Sequence, residues 1–242
     1  RALCKWRVGK LDDAAADLGA GIKIMREQAN DQWIFLNHED MLQLCTLALE
    51  LQVEGAVEYA AHLLSTRLAA IARPELERLS QHACAQVAKK ATEIRRVIHR
   101  SHLPPLRIQT LGAFQVLRGA TPVEEKEWQA NQPQLFLKAL ISRGSRRVPK
   151  ELILEDLWPE IPSDAAERNF KVILHRLRKV LEPRMDRDFG SSYVHLRANL
   201  LSLDEELCRV DVDQFLFVID KGNKSEIDGD TKQALSCYEE AM

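Results

Sequence analysis

The spacing of the apolar residues changes at the segment HLPPL, residues 102–106, and this change divides the chain into two kinds of structure. Before it, proline occurs only at Pro74, and apolar residues recur at the spacing of amphipathic helices. After it, LRIQTLGAFQVLRG alternates apolar and polar residues, which is typical of short strands. Two adjacent prolines end a helix and favour an extended chain. The sequence therefore predicts a mainly α protein with a small α+β domain that begins at residue 105.

Residues 1–104 are predicted to form a bundle of about five helices joined by short turns. The predicted breaks lie at Gly9, near Asn30-Asp31, at Gln52 to Glu54, and at Arg73-Pro74. The opening WRVGKLDDAAADL resembles a tetratricopeptide-type helix pair, with a glycine at the turn and alanines in the next helix. A TPR-like bundle that transmits a signal or sets an oligomeric arrangement is therefore expected.

Residues 105–203 are predicted to form two strands, three helices and a hairpin, in that order. The helices are expected over residues 133–142, 149–158 and 164–182. Pro149 suits the first turn of its helix, and Asp164 with Glu167 has the spacing of a capping box. SSYVHLRANLLSL alternates again and predicts a hairpin that turns at Arg197-Ala198-Asn199.

Charge is distributed unevenly, although the formal net charge is only −2. Residues 105–203 hold 16 Lys and Arg against 12 Asp and Glu, whereas residues 204–242 hold 4 against 11. From Lys138 to Lys150 there are five cations and no acid. A clustered cationic surplus is typical of a surface that binds a polyanion. Residues 204–242 are predicted to be an acidic helical segment.

The third helix of the middle segment, ERNFKVILHRLRKVLE, combines an apolar stripe with a crowd of cations. At about 100° per residue, one side carries the apolar set Phe170, Ile173, Leu174, Leu177, Val180 and Leu181. The opposite side carries Arg168, Lys171, Val172, His175 and Lys179, flanked by Arg176 and Arg178. A solvated outer face is one interpretation. A DNA-binding face is the other, and three helices, a basic turn and a hairpin with Arg197 at its tip favour it, since they match a winged helix-turn-helix outline.

Several short pieces of residues 105–242 resemble a known family of regulators. The pieces are Leu111-Gly112-x-Phe114, Leu157-Trp158-Pro159, Asn169 and His175-Arg176-Leu177-Arg178. Together they resemble the OmpR-type winged helix-turn-helix DNA-binding domain, in the version found in SARP-type and MalT-like bacterial transcriptional regulators. VDVDQF at 210–215 and the acidic residues after it resemble the start of a bacterial transcriptional activator domain.

The resemblance implies a role in DNA binding for individual residues. Arg168, Lys171 and His175 would meet base edges or nearby phosphates, and Val172 would meet a thymine methyl. The residues implied to meet phosphates are Arg176, Arg178, Lys179, Arg146, Arg147 and Lys150. Arg197 would reach the adjacent minor groove. The turn from Trp158 to Ser163 would touch RNA polymerase.

The remaining expectations concern the class and setting of the protein. The five cysteines are scattered and form no CxxC pair, which favours a reducing cytoplasm over a disulfide framework or a zinc knuckle. No catalytic, metal or cofactor site is predicted, so an enzyme is not expected, and no membrane-spanning run occurs. The start RALCKW and the end within a helical pattern suggest a fragment of a longer regulator, for which a homodimer is one expected arrangement.

A protein–protein interaction module is the alternative function. The helical repeats would then bind a partner, and the winged helix would be a scaffold rather than a DNA reader, since fold alone does not determine function. The cationic outer side of residues 168–179 together with Arg197 favours DNA, because a protein-binding winged helix more often presents an apolar or mixed face there.

Overall fold

The structure is a computed structural model that describes residues 1–27 and 36–241. It divides into two compact units, the first from Arg1 to His102 and the second from Leu103 onward. Helices predominate, and the strands form two small sheets in the second unit. The predicted fold class, mainly helical with a small sheet region, is confirmed at this level.

The described part of the first unit contains six helices. They are α1 (Ala2–Arg7), α2 (Leu11–Glu27), α3 (His38–Glu50), α4 (Val57–Ser65), α5 (Ala69–Ser80) and α6 (Ala85–Ser101). Their apolar sides meet in a single core, in which α3 is the most deeply buried helix. The side chain of Asn37 caps α3 by accepting a hydrogen bond from the backbone N–H of Asp40 at 2.7 Å, which satisfies one of the unpaired donors at the helix start.

Two of the predicted breaks in this unit are confirmed, and one is wrong. Gly9, with φ +78°, separates α1 from α2, and Gln52, with φ +48°, follows α3. Pro74 instead lies inside α5, where its ring nitrogen gives no hydrogen bond to the preceding turn. Burial of Ala72 and Leu76 on either side of Pro74 offsets that loss, because both side chains are fully enclosed. The predicted break near Asn30-Asp31 lies outside the described residues.

The second unit alternates short strands and helices. Its strands are β1 (Leu106–Gln109), β2 (Gln115–Arg118), β3 (Thr121–Pro122), β4 (Val148–Pro149), β5 (Val194–Arg197), β6 (Leu200–Leu203) and β7 (Cys208–Val210). Its helices are α7 (Glu125–Trp128), α8 (Asn131–Ser142), α9 (Lys150–Leu157), α10 (Ser163–Leu181), α11 (Asp211–Ile227) and α12 (Thr231–Ala241). The three predicted helices of residues 133–182 correspond to α8, α9 and α10.

The strands form two sheets with different connectivity. One has the order β3-β2-β1-β7, with β1 antiparallel to β2 and parallel to β7. The other has the order β4-β6-β5 and contains the predicted hairpin. Ala198 and Asn199 both have positive φ, +47° and +63°, which is the backbone of a tight two-residue hairpin turn. The predicted turn at residues 197–199 is therefore confirmed.

The start of α10 differs from the prediction. The helix begins at Ser163 after Pro162, and no side chain caps it. The Asp164–Glu167 capping box is wrong, because the Glu167 carboxylate pairs with the Lys150 ammonium of α9. Pro149 immediately precedes α9 and does not lie in its first turn, contrary to the prediction. It is also the last residue of β4, where it pairs with Leu200.

Residues beyond 203 are tied to the sheet that begins the unit. β7 lies at the edge of that sheet beside β1, although it falls outside the segment 105–203. Asp211, the first residue of α11, accepts hydrogen bonds from the backbone N–H groups of Thr110 and Leu111 and from the Thr110 hydroxyl. α12 then packs closely against α11, where an ideal Cβ on Gly222 would lie 2.6 Å from the Tyr238 ring.

Candidate nucleic-acid interface

The helix α10 has one side in the core of the second unit and one side in solvent. The predicted apolar set, from Phe170 to Leu181, is buried throughout. The Phe170 ring meets the Phe136 ring of α8 with centroids 5.4 Å apart, in a tilted arrangement. These contacts fix the rotation of α10 about its axis and so determine which residues face solvent.

The solvent side of α10 carries most of the predicted DNA-contact residues. The exposed ones are Arg168, Lys171, Val172, His175, Arg176 and Lys179. Val172 is 49% exposed. Within residues 1–27 and 36–241, no carboxylate pairs with any of these four Lys and Arg side chains. We call these six residues the α10 outer face.

Arg178 behaves differently from the cations of the outer face. Its Nε donates a hydrogen bond to the backbone carbonyl of Val194 in β5 at 3.1 Å. Burial lowers the pKa of the Arg178 guanidinium from its ordinary value, although the group stays charged. Arg178 therefore joins α10 to the hairpin, and its guanidinium is partly removed from the solvent side.

Lys150 also forms contacts within the protein. Its side chain is 14% exposed and pairs with Glu167 of α10. Its backbone N–H donates to the carbonyl of Asn199, at the hairpin turn, at 2.9 Å. One residue thus joins the start of α9, the first half of α10 and the tip of the hairpin.

The basic turn between α8 and β4 contains three arginines with three different environments. Arg143 forms a two-point ion pair with Asp156, which raises the pKa of the Arg143 guanidinium and lowers that of the Asp156 carboxyl. Arg146 pairs with Glu205 at 3.1 Å in a largely exposed contact. The Arg147 side chain is exposed, while its backbone N–H donates to the Ser202 hydroxyl at 2.8 Å. Positive φ at Ser145 and Arg147 shapes this turn so that it reaches β6.

The hairpin places Arg197 in solvent at the end of β5, next to the turn. His195 Nε2 lies 3.0 Å from the Asp204 carboxylate, which ties the hairpin to the loop that precedes β7. Because Asn199 bonds to Lys150, and Lys150 pairs with Glu167, the tip is connected to the same end of α10 that carries Arg168. The contacts therefore link the elements that carry Arg197, Arg147 and the α10 outer face, and we call these exposed residues together the cationic region of the second unit.

Sequence reasoning assigned no contact to two residues of this region. Asn169, named above only as part of the family resemblance, is exposed and lies about 20° around α10 from Arg176. Glu182 follows α10 and is only 2% exposed, where it accepts hydrogen bonds from the Ser192 N–H at 2.7 Å and the Ser192 hydroxyl at 3.2 Å. Helical periodicity alone does not distinguish a buried carboxylate at a helix end from a solvated one.

The turn between α9 and α10 contains the residues predicted to touch RNA polymerase. Trp158 is buried in the core, whereas Glu160 and Ile161 are exposed. Trp158 therefore anchors this turn, and the exposed surface belongs to the residues after it. Across the part of the chain that the structure describes, no group of three or more His, Cys, Asp or Glu could hold a metal ion, and no helix is long and apolar enough to cross a membrane.

Comparison with known proteins gives one similar structure. No protein-family model matches the chain, and no curated protein matches it. Among solved structures, it is similar to Mycobacterium tuberculosis EmbR in complex with a low-affinity phosphopeptide, at 21% identity and a TM-score of 0.43. The match covers 57% of this chain and 35% of that one, so this chain spans about a third of the length of EmbR in that structure. Such a TM-score does not establish a common fold.

Proposed function

We propose that this chain is part of a sequence-specific DNA-binding transcription regulator. In this proposal residues 105–203 form a winged helix-turn-helix, with α10 in the major groove and the β5–β6 hairpin as the wing in the minor groove. Residues 1–104 are a TPR-like bundle for signal transmission or oligomerisation, and residues 204–242 begin an acidic helical activator domain. The family resemblance of the sequence supports this division, and the three helices α8, α9 and α10 followed by the β5–β6 hairpin support its winged helix-turn-helix. The pairing of β7 with β1 joins residues 208–210 to that domain.

The observation that carries the proposal is the α10 outer face. Four Lys and Arg side chains of one helix are exposed and have no carboxylate partner in the described chain. A helix with its side chains is about 10–12 Å across, which matches the roughly 12 Å width of the major groove. Arg147 and Arg197 extend the same cationic region to the phosphates beside the groove and to the wing. Lys150, Arg178 and Arg146, which bond or pair within the protein, are left out of the proposed contact surface.

The proposal predicts steep salt dependence. If the four cations of the outer face, Arg147 and Arg197 all neutralise phosphates, the logarithm of the binding constant falls with the logarithm of salt concentration with a slope of about −5. Fluorescence anisotropy with a duplex selected by the chain from a random library gives both the affinity and this slope.

Alanine substitutions test whether the α10 outer face, and not another part of the surface, binds DNA. Arg168→Ala or Lys171→Ala should weaken binding by roughly 1–3 kcal/mol, because each removes a base or phosphate contact. Lys232→Ala is the matched control, since Lys232 is exposed on α12 and is remote in sequence from the hairpin and α10. Equal affinities for all three variants and the unaltered chain would exclude the groove assignment.

A protein-interaction module is the second candidate, and α11 provides the observation that favours it. Leu216 and Phe217 are 57% and 68% exposed, which is unusual for adjacent large apolar side chains of one helix. Sedimentation velocity of the chain and of the Leu216→Ser/Phe217→Ser variant tests whether this surface supports a homodimer. The interaction module would be favoured if the unaltered chain sediments as a dimer, the variant sediments as a monomer, and the unaltered chain does not bind DNA.

The turn that follows Trp158 is proposed to contact RNA polymerase through Glu160 and Ile161. Glu160→Lys should lower transcription from the bound promoter in a purified system while its DNA affinity stays unchanged. Unaltered transcription by this variant would exclude the contact.

A further inference from the structure

Asn169 is an exposed amide residue of α10 that lies beside the α10 outer face. At about 100° per residue it lies about 60° around the helix from Val172 and about 20° from Arg176, at the edge of the exposed side of α10. Its side chain is exposed, and among the described residues nothing forms a hydrogen bond with its amide. Asparagine is an unfavourable residue in a helix interior, since its side chain competes for backbone hydrogen bonds. No contact within the described chain compensates for it here.

The chemistry of the amide points to a base edge rather than a phosphate. A carboxamide offers an oxygen acceptor and an N–H donor side by side, which matches the N6 donor and N7 acceptor of adenine in the major groove. An uncharged amide gains no counterion release at a phosphate, so the cations around it serve that purpose better. Asn169 is therefore suited to reading sequence, whereas its neighbours also contribute sequence-independent affinity.

The position of Asn169 fits the same role. It lies in the first half of the 19-residue α10, and recognition helices contact base edges mainly through their N-terminal residues. Phe170 and Ile173 are buried in the core, which fixes the rotation of the helix and directs Asn169 outward. The carboxylate of Glu167 is engaged by Lys150, so the nearest acid on the helix is neutralised.

We propose that Asn169 reads an adenine in the major groove, beside Val172 against the methyl group of a thymine. Residues three apart on a helix are neighbours on its surface, so the two side chains meet the same base pair or adjacent ones. The inference rests on the proposed function and names the base that this site selects. A bound sequence should therefore contain an A·T pair whose identity depends on Asn169.

The test is selection of bound duplexes from a random library with the full chain, in the unaltered form and as Asn169→Ala. The unaltered chain should prefer adenine over guanine at one position of its site by roughly 5- to 150-fold, and Asn169→Ala should lose that preference there while keeping it elsewhere. The salt slope should not change, since the substitution removes no charge. Asn131→Ala, an exposed asparagine at the start of α8, is the matched control and should keep the preference.

A change on the DNA confirms the contact without altering the protein. Replacing the selected adenine by its 7-deaza analogue removes the N7 acceptor and should weaken binding of the unaltered chain but not of Asn169→Ala. If the unaltered chain and Asn169→Ala select the same site with the same base preferences, the inference about Asn169 fails while the proposed function stands. An equal loss of affinity on all sequences would also overturn it, because that is the behaviour of a structural residue. If the unaltered chain selects no sequence, the proposed function fails and the inference with it.

Discussion

Lys150 illustrates how hydrogen bonding at a single residue decides between a structural and a binding role. It belongs to the cationic run that ends the α8–β4 turn, and its charge alone suggests a phosphate contact. Its backbone bonds to Asn199 and its ammonium pairs with Glu167, so one residue holds α9, α10 and the hairpin together. Arg147, three residues earlier, has an exposed side chain and lies beside the same hairpin.

Removal of the charge should affect stability at Lys150 and the salt dependence of DNA binding at Arg147. Lys150→Met should lower the free energy of unfolding by about 1–3 kcal/mol, because it leaves a half-buried Glu167 carboxylate without its partner. Arg147→Met should leave that free energy unchanged and reduce the magnitude of the salt slope of DNA binding by about 1. Urea denaturation and anisotropy titrations measure the two quantities. A reduced salt slope for Lys150→Met with unchanged stability would contradict the structural role.

The α10 outer face could be predicted from the sequence, whereas the contacts of the neighbouring cations Lys150 and Arg178 within the protein could not. The helical period places Phe170, Ile173 and Leu177 together, so the opposite side follows directly. The partners of Lys150 and Arg178 lie 17 and 16 residues away in the chain, and only the folded arrangement of α9, α10 and β5 brings them into contact. Sequence spacing therefore does not distinguish the cations that pair within the protein from those that are left exposed.

At the scale of elements, the carboxylate of Asp211 adds hydrogen bonds between the start of α11 and the residues that follow β1. Burial alone would raise the pKa of Asp211, but hydrogen bonds from Thr110, Leu111 and Val212 outweigh it and hold the pKa below its ordinary value of 3.8. A carboxyl whose pKa is lowered in the folded state stabilises that state above its unfolded pKa. This contribution is lost as the pH falls through the folded-state value.

Asp211→Asn should therefore lower stability at neutral pH and have little effect in acid. The expected loss in the free energy of unfolding at pH 7 is about 1.5–3 kcal/mol, since the variant removes an ionised hydrogen-bond acceptor. The difference between variant and unaltered chain should shrink as the pH falls below 3.8. Denaturant unfolding across this range measures it, with Asp213→Asn in the same first turn as the control. A difference that does not vary with pH would contradict this account of Asp211.

The spacing between α11 and α12 depends on a glycine. A Cβ on Gly222 would lie 2.6 Å from the Tyr238 ring, so Gly222→Ala should push the helices apart and lower the free energy of unfolding by about 1–3 kcal/mol. Gly21 in α2 provides a control of opposite sign, since no described atom lies within 4 Å of its added Cβ. Gly21→Ala should raise stability by about 0.5–1 kcal/mol through helix propensity. Calorimetry of both variants measures the difference, and a stabilising Gly222→Ala would contradict the close packing.

Element prediction succeeded where the pattern was long and failed where it was short. α8, α9, α10 and the hairpin follow from stretches of eight or more residues with a clear period. β7 has three residues and β4 has two, which is too short for any period, and their pairing with β1 and β6 depends on tertiary contacts. Pro74 was assigned to a break because an isolated proline usually ends a helix, whereas the buried Ala72 and Leu76 retain α5 around it.

At the scale of the whole molecule, each of the two units has a core of its own. One cluster of buried residues extends from Ala2 to Ile94 and the other from Leu106 to Val210, and they share no residue. Separate cores of this size are typical of parts that can fold alone. The segment between the cores belongs to the second unit, because Pro104 accepts a hydrogen bond from the Tyr193 hydroxyl at 2.6 Å and Pro105 accepts one from the Gly119 N–H at 2.8 Å.

These contacts determine where a separately expressed second unit should begin. Burial raises the pKa of Tyr193 to about 12. The same burial leaves its hydroxyl dependent on an acceptor within the protein, which is the Pro104 carbonyl. A chain that starts at Leu103 should unfold cooperatively and bind the selected duplex with the salt slope of the full chain. A chain that starts at Leu106 lacks that acceptor and should be less stable by about 1–3 kcal/mol, the cost of a buried donor without a partner. Urea denaturation and anisotropy measure both. Equal stability of the two chains would contradict the role of Pro104, and a loss of DNA binding by the longer one would show that the first unit contributes to the interface.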